Sequence, residues 1–427
     1  MSLLIKNGRI IDPIEDRDGI YDIFIEDGIV KKIGKDLNLE ADRLIDASNK
    51  WVVPGLIDVH VHLREPGFEH KETIETGARA AAKGGFTTIC PMPNTNPPID
   101  SKSIIDYINK KSEDAVVNIL PVGAITIGQD GKDITNMPKM KKAGIWAVSD
   151  DGKSVMDAKL LKEAMELAKA NDLPMLSHCE DMTLMGGSMN EGENSRLFGL
   201  KGIGKEAEDI ITARDIILAN TTGAQLHLCH VSTKLSLDII RFAKSMGANI
   251  TAETAPHYFI LTDDRVKDKE TNTLDTNAKM SPPLRTKEDL EAMKEALKDN
   301  TIDMIATDHA PHHADEKDTS FSSAPFGIVG LETSFALSYT HLVEAGILSP
   351  LELIEKMSAN PAKLIGLDKG TIGEGKVADI AIINPNKEYL IDSNEFASKS
   401  KNTPFNGVKV KGQIDYTIVG GEIVYKD

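Results

Sequence analysis

The chain has 427 residues, 41% of them hydrophobic, and a formal net charge of −17. That is enough apolar material for a large core, while an acidic surface of this size repels phosphate backbones and anionic lipid, which argues against nucleic-acid and membrane-surface partners. A small anionic ligand would need local positive charge from an arginine or a metal.

The opening stretch, MSLLIKNGRIID, lacks the basic segment and long apolar run of a secretory signal, and no run of 18 apolar residues follows anywhere. The expectation is a soluble, cytoplasmic protein. Over the first fifty residues LLIKNGRIID, YDIFIEDGIVKKIG and DRLIDAS alternate apolar and polar positions between glycine turns, which predicts short strands. The last sixty residues repeat that style in ADIAIINP, KEYLID and VKVKGQIDYTIVGGEIVYKD. Neither end can close a core alone, so residues 1–53 and 366–427 are expected to build one small β-sandwich, with 54–365 inserted.

The inserted part follows another rule. Eight short apolar runs read as strands: WVVPGLIDVH, FTTICPM, VVNILPVGA, IWAVSD, LPMLSH, AQLHLCH, NITAET and DMIATD. Amphipathic stretches such as KETIETGARAAAKG, MDAKLLKEAMELAKAN, EDIITARDIILAN, KLSLDIIRFAKSMG and KEDLEAMKEALKDN separate them, and LETSFALSYTHLVEAG follows the eighth. Eight βα units predict a TIM (β/α)8 barrel, whose functional residues sit at the C-terminal ends of the strands. A doubly wound sheet would need a G-x-G-x-x-G after its first strand, which is missing.

The run ends carry metal-capable side chains: His60 and His62, Asp150 and Asp151, His178, His230, Glu253 and Asp308. His60 and His62 are two apart on a strand and so share a face, about 7 Å apart along it, as two nitrogen ligands of one divalent cation would be. His227, three residues before His230, faces the other way and is read as structural. Cys90, Cys179 and Cys229 are an odd, sparse set without a disulfide framework. They read as buried small hydrophobes, with Cys179 and Cys229 turned away from the histidines beside them. Asp308 could bind metal and also move a proton. Asp151 could bridge two metals, with Asp150 as a loop cap.

With H-x-H on the first strand, His on the fifth and sixth and Asp on the eighth, the chain resembles the amidohydrolase superfamily. The longer strings DVHVHLREPG, GGFTTICPMPNTNP, SDDG, ATDHAPH and APFGIVGLET resemble the dihydroorotase family in its long bacterial form, and the likeness runs over nearly the whole chain. The resemblance implies metal ligands at His60, His62, Asp151, His178, His230 and Asp308. Many relatives bridge two metals with a carbamylated lysine on strand four, but the fourth run holds none. Asp151 is therefore expected to bridge two zinc ions, with Lys153 left as a loop residue.

The implied chemistry is metal-bound hydroxide attacking the ring amide of dihydroorotate, with Asp308 as general acid/base, and its reversal from N-carbamoyl-L-aspartate. The substrate carboxylate is expected at Arg64, Asn94 and His312, with His62 also facing the substrate. The ring is expected against the backbone of Phe326 and Gly327, under a lid formed by 310–325. Where the family has Asn before Pro-Pro-Leu-Arg, this chain has Ser281, which leaves that contact open. His257 and Glu253 are read as supporting residues. The family also implies a homodimer and, in some members, association with aspartate transcarbamoylase. Allantoinase or hydantoinase activity is disfavoured by Arg64, Asn94 and the missing lysine. A catalytically dead barrel is disfavoured because all six ligand positions are filled.

Overall fold

Alternation at the N-terminus folds as expected in the computed structural model, which describes residues 1–268 and 271–427. Strands β1 (Ser2–Asp12), β2 (Arg17–Glu26) and β3 (Ile29–Gly34) form an antiparallel meander, while β4 (Arg43–Asp46) and β5 (Trp51–Pro54) run parallel to β1. Every second side chain points inward, so Leu3, Ile5, Ile10, Ile23, Ile25 and Val52 enter one apolar core.

The barrel strands follow: β6 (Leu56–Val61), β7 (Phe86–Pro91), β8 (Asn118–Ile119), β9 (Gly123–Ala124), β10 (Val148–Ser149) and β11 (Met175–Ser177). A small parallel pair, β12 (Met189–Asn190) with β13 (Gly202–Ile203), sits in the loop after β11. Then come β14 (Leu226–Leu228), β15 (Ile250–Thr254) and β16 (Met304–Ile305). All neighbouring barrel strands pair in parallel. The ring closes where Val61 bridges His309 and the His62 amide donates to the His309 carbonyl at 2.8 Å.

Two runs differ from the reading of them as single strands. WVVPGLIDVH divides at Gly55 into β5, which belongs to the terminal sheet, and β6, which opens the barrel. A Cβ at Gly55 would lie 2.1 Å from Thr87 Oγ1, so glycine lets the chain pass close to Thr87 there. A continuously apolar run has no period that could mark such a break. VVNILPVGA likewise divides around Pro121 into β8 and β9, because proline has no N–H to give the ladder. Leu120 and Val122 donate to carbonyls of β7, and Gly123 turns to the carbonyl of Ala147.

The expected helices form at 74–83, 158–170, 206–222, 234–245 and 287–298. Side chains of Thr73, Asp157 and Thr233 cap three of them, Asp289 accepts from the Thr286 amide at the start of a fourth, and each of these helices lays an apolar face on the barrel. The stretch after β16 starts as α-helix at Ser334 and continues through a π turn from Tyr339 to Val343. The chain then returns to the terminal sheet as β17 (Ile380–Leu390), β18 (Lys409–Val419) and β19 (Glu422–Lys426). Pairing of β17 with β5 joins both ends of the chain in one sheet. Ile380, Ile382 and Ile418 complete the core begun by the N-terminal strands. Among the described residues no helix is long and apolar enough to cross a membrane.

Candidate metal centre and active site

Where the barrel strands end, the six sequence-predicted ligand candidates meet. His60 is on β6 with His62 just past it; Asp151, His178, His230 and Asp308 lie one to three residues beyond β10, β11, β14 and β16. All six are buried. Asp151 is central. Its Oδ1 lies 3.5 Å from His60 Nε2, 3.4 Å from His178 Nδ1 and 3.6 Å from His230 Nε2, and its Oδ2 lies 3.6 Å from His62 Nε2. Asp308 Oδ1 is 3.2 Å from His62 Nε2 and 3.6 Å from His60 Nε2. Two donor groups therefore share Asp151: one with His60 and His62, the other with His178 and His230. Two residues at this rim, His230 (φ 36°) and Asp308 (φ 47°), have left-handed backbone, as does Arg64 (φ 61°). Non-glycine residues adopt that conformation at a cost, and it recurs at functional sites.

Outer hydrogen bonds decide which ring nitrogen faces inward. Glu253 Oε1 takes His60 Nδ1 at 2.6 Å, Asn94 Oδ1 takes His62 Nδ1 at 2.8 Å, and Glu180 Oε2 takes His178 Nε2 at 3.0 Å. The inward lone pairs are then Nε2 of His60, Nε2 of His62 and Nδ1 of His178. His227, expected to be structural, holds Glu253 Oε2 at 3.1 Å and Thr251 at 2.8 Å. Asp150 caps the loop of Ile125 and Thr126, and Lys153 reaches the Gln129 carbonyl at 3.4 Å.

Inside the cluster, His60 Nε2 and Asp151 Oδ1 are buried without a hydrogen-bond partner. Burial opposes ionisation of Asp151, yet His60, His178 and His230 hold its carboxyl well below the usual range. Burial likewise opposes charge on His178, but Asp151 and Glu180 raise that ring to about 10. A site that draws protons onto imidazoles by carboxylate charge will draw a divalent cation in their place. Imidazole nitrogens and carboxylate oxygens converging here, two of them unsatisfied, fit such a cation.

The rim opens into a cavity of about 330 Å³ lined by Arg64, Asn94, His312, Phe326 and Gly327, together with the metal cluster. Arg64 donates to the Pro311 carbonyl at 3.1 Å and lies 3.4 Å from His312 Nε2. Among the described residues it has no ion pair with a carboxylate, and burial lowers its pKa to about 10. His312 Nε2 donates to the Phe326 carbonyl at 2.8 Å, and its Nδ1 accepts from Lys71 Nζ at 3.3 Å. Burial and the nearby cations Arg64, Lys71 and Lys317 keep that ring neutral.

Several placements differ from expectation or were not anticipated. The Gly327 amide, expected to face a ring, donates to the Lys279 carbonyl at 2.9 Å, and its carbonyl accepts from Asn402 at 3.0 Å. Residues 310–325, expected as a lid, are pinned down. Lys279 Nζ donates to the carbonyls of Phe321, Ser322 and Ala324, and Lys317 Nζ to those of Thr276 and Pro325. Burial lowers Lys279 to about 8 and Lys317 to about 7. Cys229 was expected to face away from the site, but its sulfur lies within 4.8 Å of ligand atoms of His60 and Glu253. Cys229 keeps the alternation of β14, on the same side as His227, which bonds Glu253; the residue that departs from it is His230, past the strand end with φ 36°. His257 is buried, and Ser281 donates to Glu180 at 2.6 Å. Glu180 was missed, although it stands two residues past His178; nothing in the sequence marks Lys71, Lys279 or Asn402.

A closed (β/α)8 barrel whose strand ends gather this His and Asp set above an amide-sized cavity defines a metal-binding amidohydrolase acting on cyclic amides. The comparisons narrow the class. The family profile described as Dihydro-orotase-like matches residues 49–236. The protein is 53% identical to a dihydroorotase of Geobacter metallireducens, covering all of both chains. It is 51% identical to one of Acetivibrio thermocellus, covering 100% of this chain and 99% of that one. Among solved structures, an L-hydantoinase of Arthrobacter aurescens superposes with a TM-score of 0.86 at 27% identity, covering 99% of this chain and 96% of the other. The chain belongs to the dihydroorotase family.

Proposed function

We propose that this enzyme interconverts dihydroorotate and N-carbamoyl-L-aspartate, the ring closure of pyrimidine biosynthesis. The observation that carries the reading is Arg64, a half-buried guanidinium without a carboxylate partner among the described residues, lining the same cavity as Asn94 and the metal cluster. A cyclic amide without a carboxylate would leave that charge uncompensated, whereas the substrate carboxylate matches its fork. Asn94 Nδ2 and the neutral His312 ring lie on the same wall.

His60, His62, Asp151, His178, His230 and Asp308 would hold the cation, for which we propose two zinc ions sharing Asp151. Such ions supply Lewis acidity toward the amide and a nucleophile at neutral pH. Asp308 uses Oδ1 toward His60 and His62, so Oδ2 is the oxygen that takes the proton of the attacking water and returns it to the leaving ring nitrogen. Burial opposes its ionisation, but His62 and His60 hold it below the ordinary range, so it rests as the base. In ring closure it takes the ureido proton instead.

The test is turnover of dihydroorotate, hydantoin and allantoin by the zinc-loaded protein, with and without chelator. Chelator-sensitive turnover of dihydroorotate is expected; turnover of hydantoin or allantoin in its place sinks the reading.

A further inference from the structure

Glu180 is fully buried at the wall of the cavity. Its Oε2 accepts from His178 Nε2 at 3.0 Å and from Ser281 Oγ at 2.6 Å. The hydroxyl of Ser154, three residues past Asp151, lies 2.6 Å from the Glu180 carbonyl and accepts its amide at 3.3 Å. The 178–180 turn is thereby clamped to the loop that carries Asp151.

On the other side Glu253 does the same for His60, at 2.6 Å, and is itself steadied by His227 at 3.1 Å. Among the described residues the two carboxylates share no hydrogen-bond partner, and they stand behind different donor groups: His60 with His62, and His178 with His230. A carboxylate behind a ligating imidazole fixes its tautomer and raises its basicity, and removing one typically costs about 10- to 100-fold in metal affinity.

We propose that Glu180, held by Ser281, is the positioning residue of the His178–His230 half of the centre, separate from Glu253 behind the His60–His62 half. Each half can then be weakened without the other. This rests on the two-metal reading above.

The experiment is equilibrium dialysis of the metal-stripped full chain against Co(II), reading bound metal and the visible spectrum. The wild type should fill in two steps. Glu180→Gln keeps an acceptor for His178 but removes the charge; it should weaken one step about 10- to 100-fold and leave the other within about twofold. Ser281→Ala should weaken that same step by a smaller factor. Glu253→Gln should weaken the other step; should it not fold, the Glu180 and Ser281 variants still test the assignment. Loss of both steps together in Glu180→Gln, or no loss in either, overturns the proposal while two metals still bind. A wild-type stoichiometry of one overturns the two-metal reading itself.

Discussion

Replacing Arg64 by Met isolates what recognises the substrate carboxylate. The guanidinium makes one carbonyl contact, to Pro311 at 3.1 Å, and pairs with no carboxylate among the described residues, so Met removes little that holds the fold. Burial already lowers its pKa to about 10, and a neutral side chain of similar length relieves that cost. What is lost is a charge-assisted contact to the substrate, worth about 1.5–3 kcal/mol, or roughly 10- to 150-fold. The kcat/KM for dihydroorotate should fall by about two orders of magnitude, chiefly through KM. The overall equilibrium fixes the ratio of the two kcat/KM values, so carbamoyl-aspartate must lose the same factor. The control is dihydrouracil, the same ring without the carboxylate, whose slow turnover should change by less than about threefold. Arg64→Lys should fall between, since a point charge replaces a fork. Equal losses on dihydroorotate and dihydrouracil, or no loss on dihydroorotate, would refute Arg64 as the carboxylate site.

Asp308→Asn should retain bound metal, because five other ligand candidates remain, while kcat drops about 10²- to 10⁴-fold with the proton carrier gone; metal analysis beside steady-state rates checks both halves, and near-normal kcat removes Asp308 from proton transfer. Lys317 gives a pH signature. Its folded pKa of about 7 lies below the ordinary 10.5, so the native state carries fewer protons than the unfolded chain between those values. Stability therefore rises with pH across that window, and the cost of charging the buried amine is full only below it. From pH 7 to 9 the wild type should gain about 2 kcal/mol relative to Lys317→Met in urea melts; a difference that does not change with pH would falsify the assignment. Gly55→Ala places a methyl 2.1 Å from Thr87 Oγ1 and should destabilise the fold by about 1–3 kcal/mol. An unmoved urea midpoint would show that β5 and β6 can separate without glycine.

Local rules on the chain reached the ligands because the barrel does the gathering. Every parallel strand ends at one rim, so a His or Asp just past a strand is delivered to the centre whatever its distance in sequence. The same rules failed where strand geometry stops: Cys229 keeps to the side of His227, and His230, with its positive φ past the end of β14, breaks the alternation that was expected to set the two apart. They were silent where one loop meets another. Glu180 and Ser281 are 101 residues apart, and His312 and Asn402 are 90 apart, with no period or motif linking either pair. Nothing in the sequence sets Lys279 or Lys317 apart, yet both are buried and spend their donors on backbone carbonyls. Carbonyls can satisfy an ammonium's hydrogen bonds but leave its charge uncancelled. The cavity sits between a carboxylate-rich metal cluster and Arg64, which pairs with no carboxylate among the described residues. On the proposed reading, that polarity would orient a ring bearing one anionic group, with the carboxylate toward Arg64 and the scissile amide toward the metal cluster. A neutral cyclic amide would have no such preference, so the arrangement discriminates by orientation as well as by affinity.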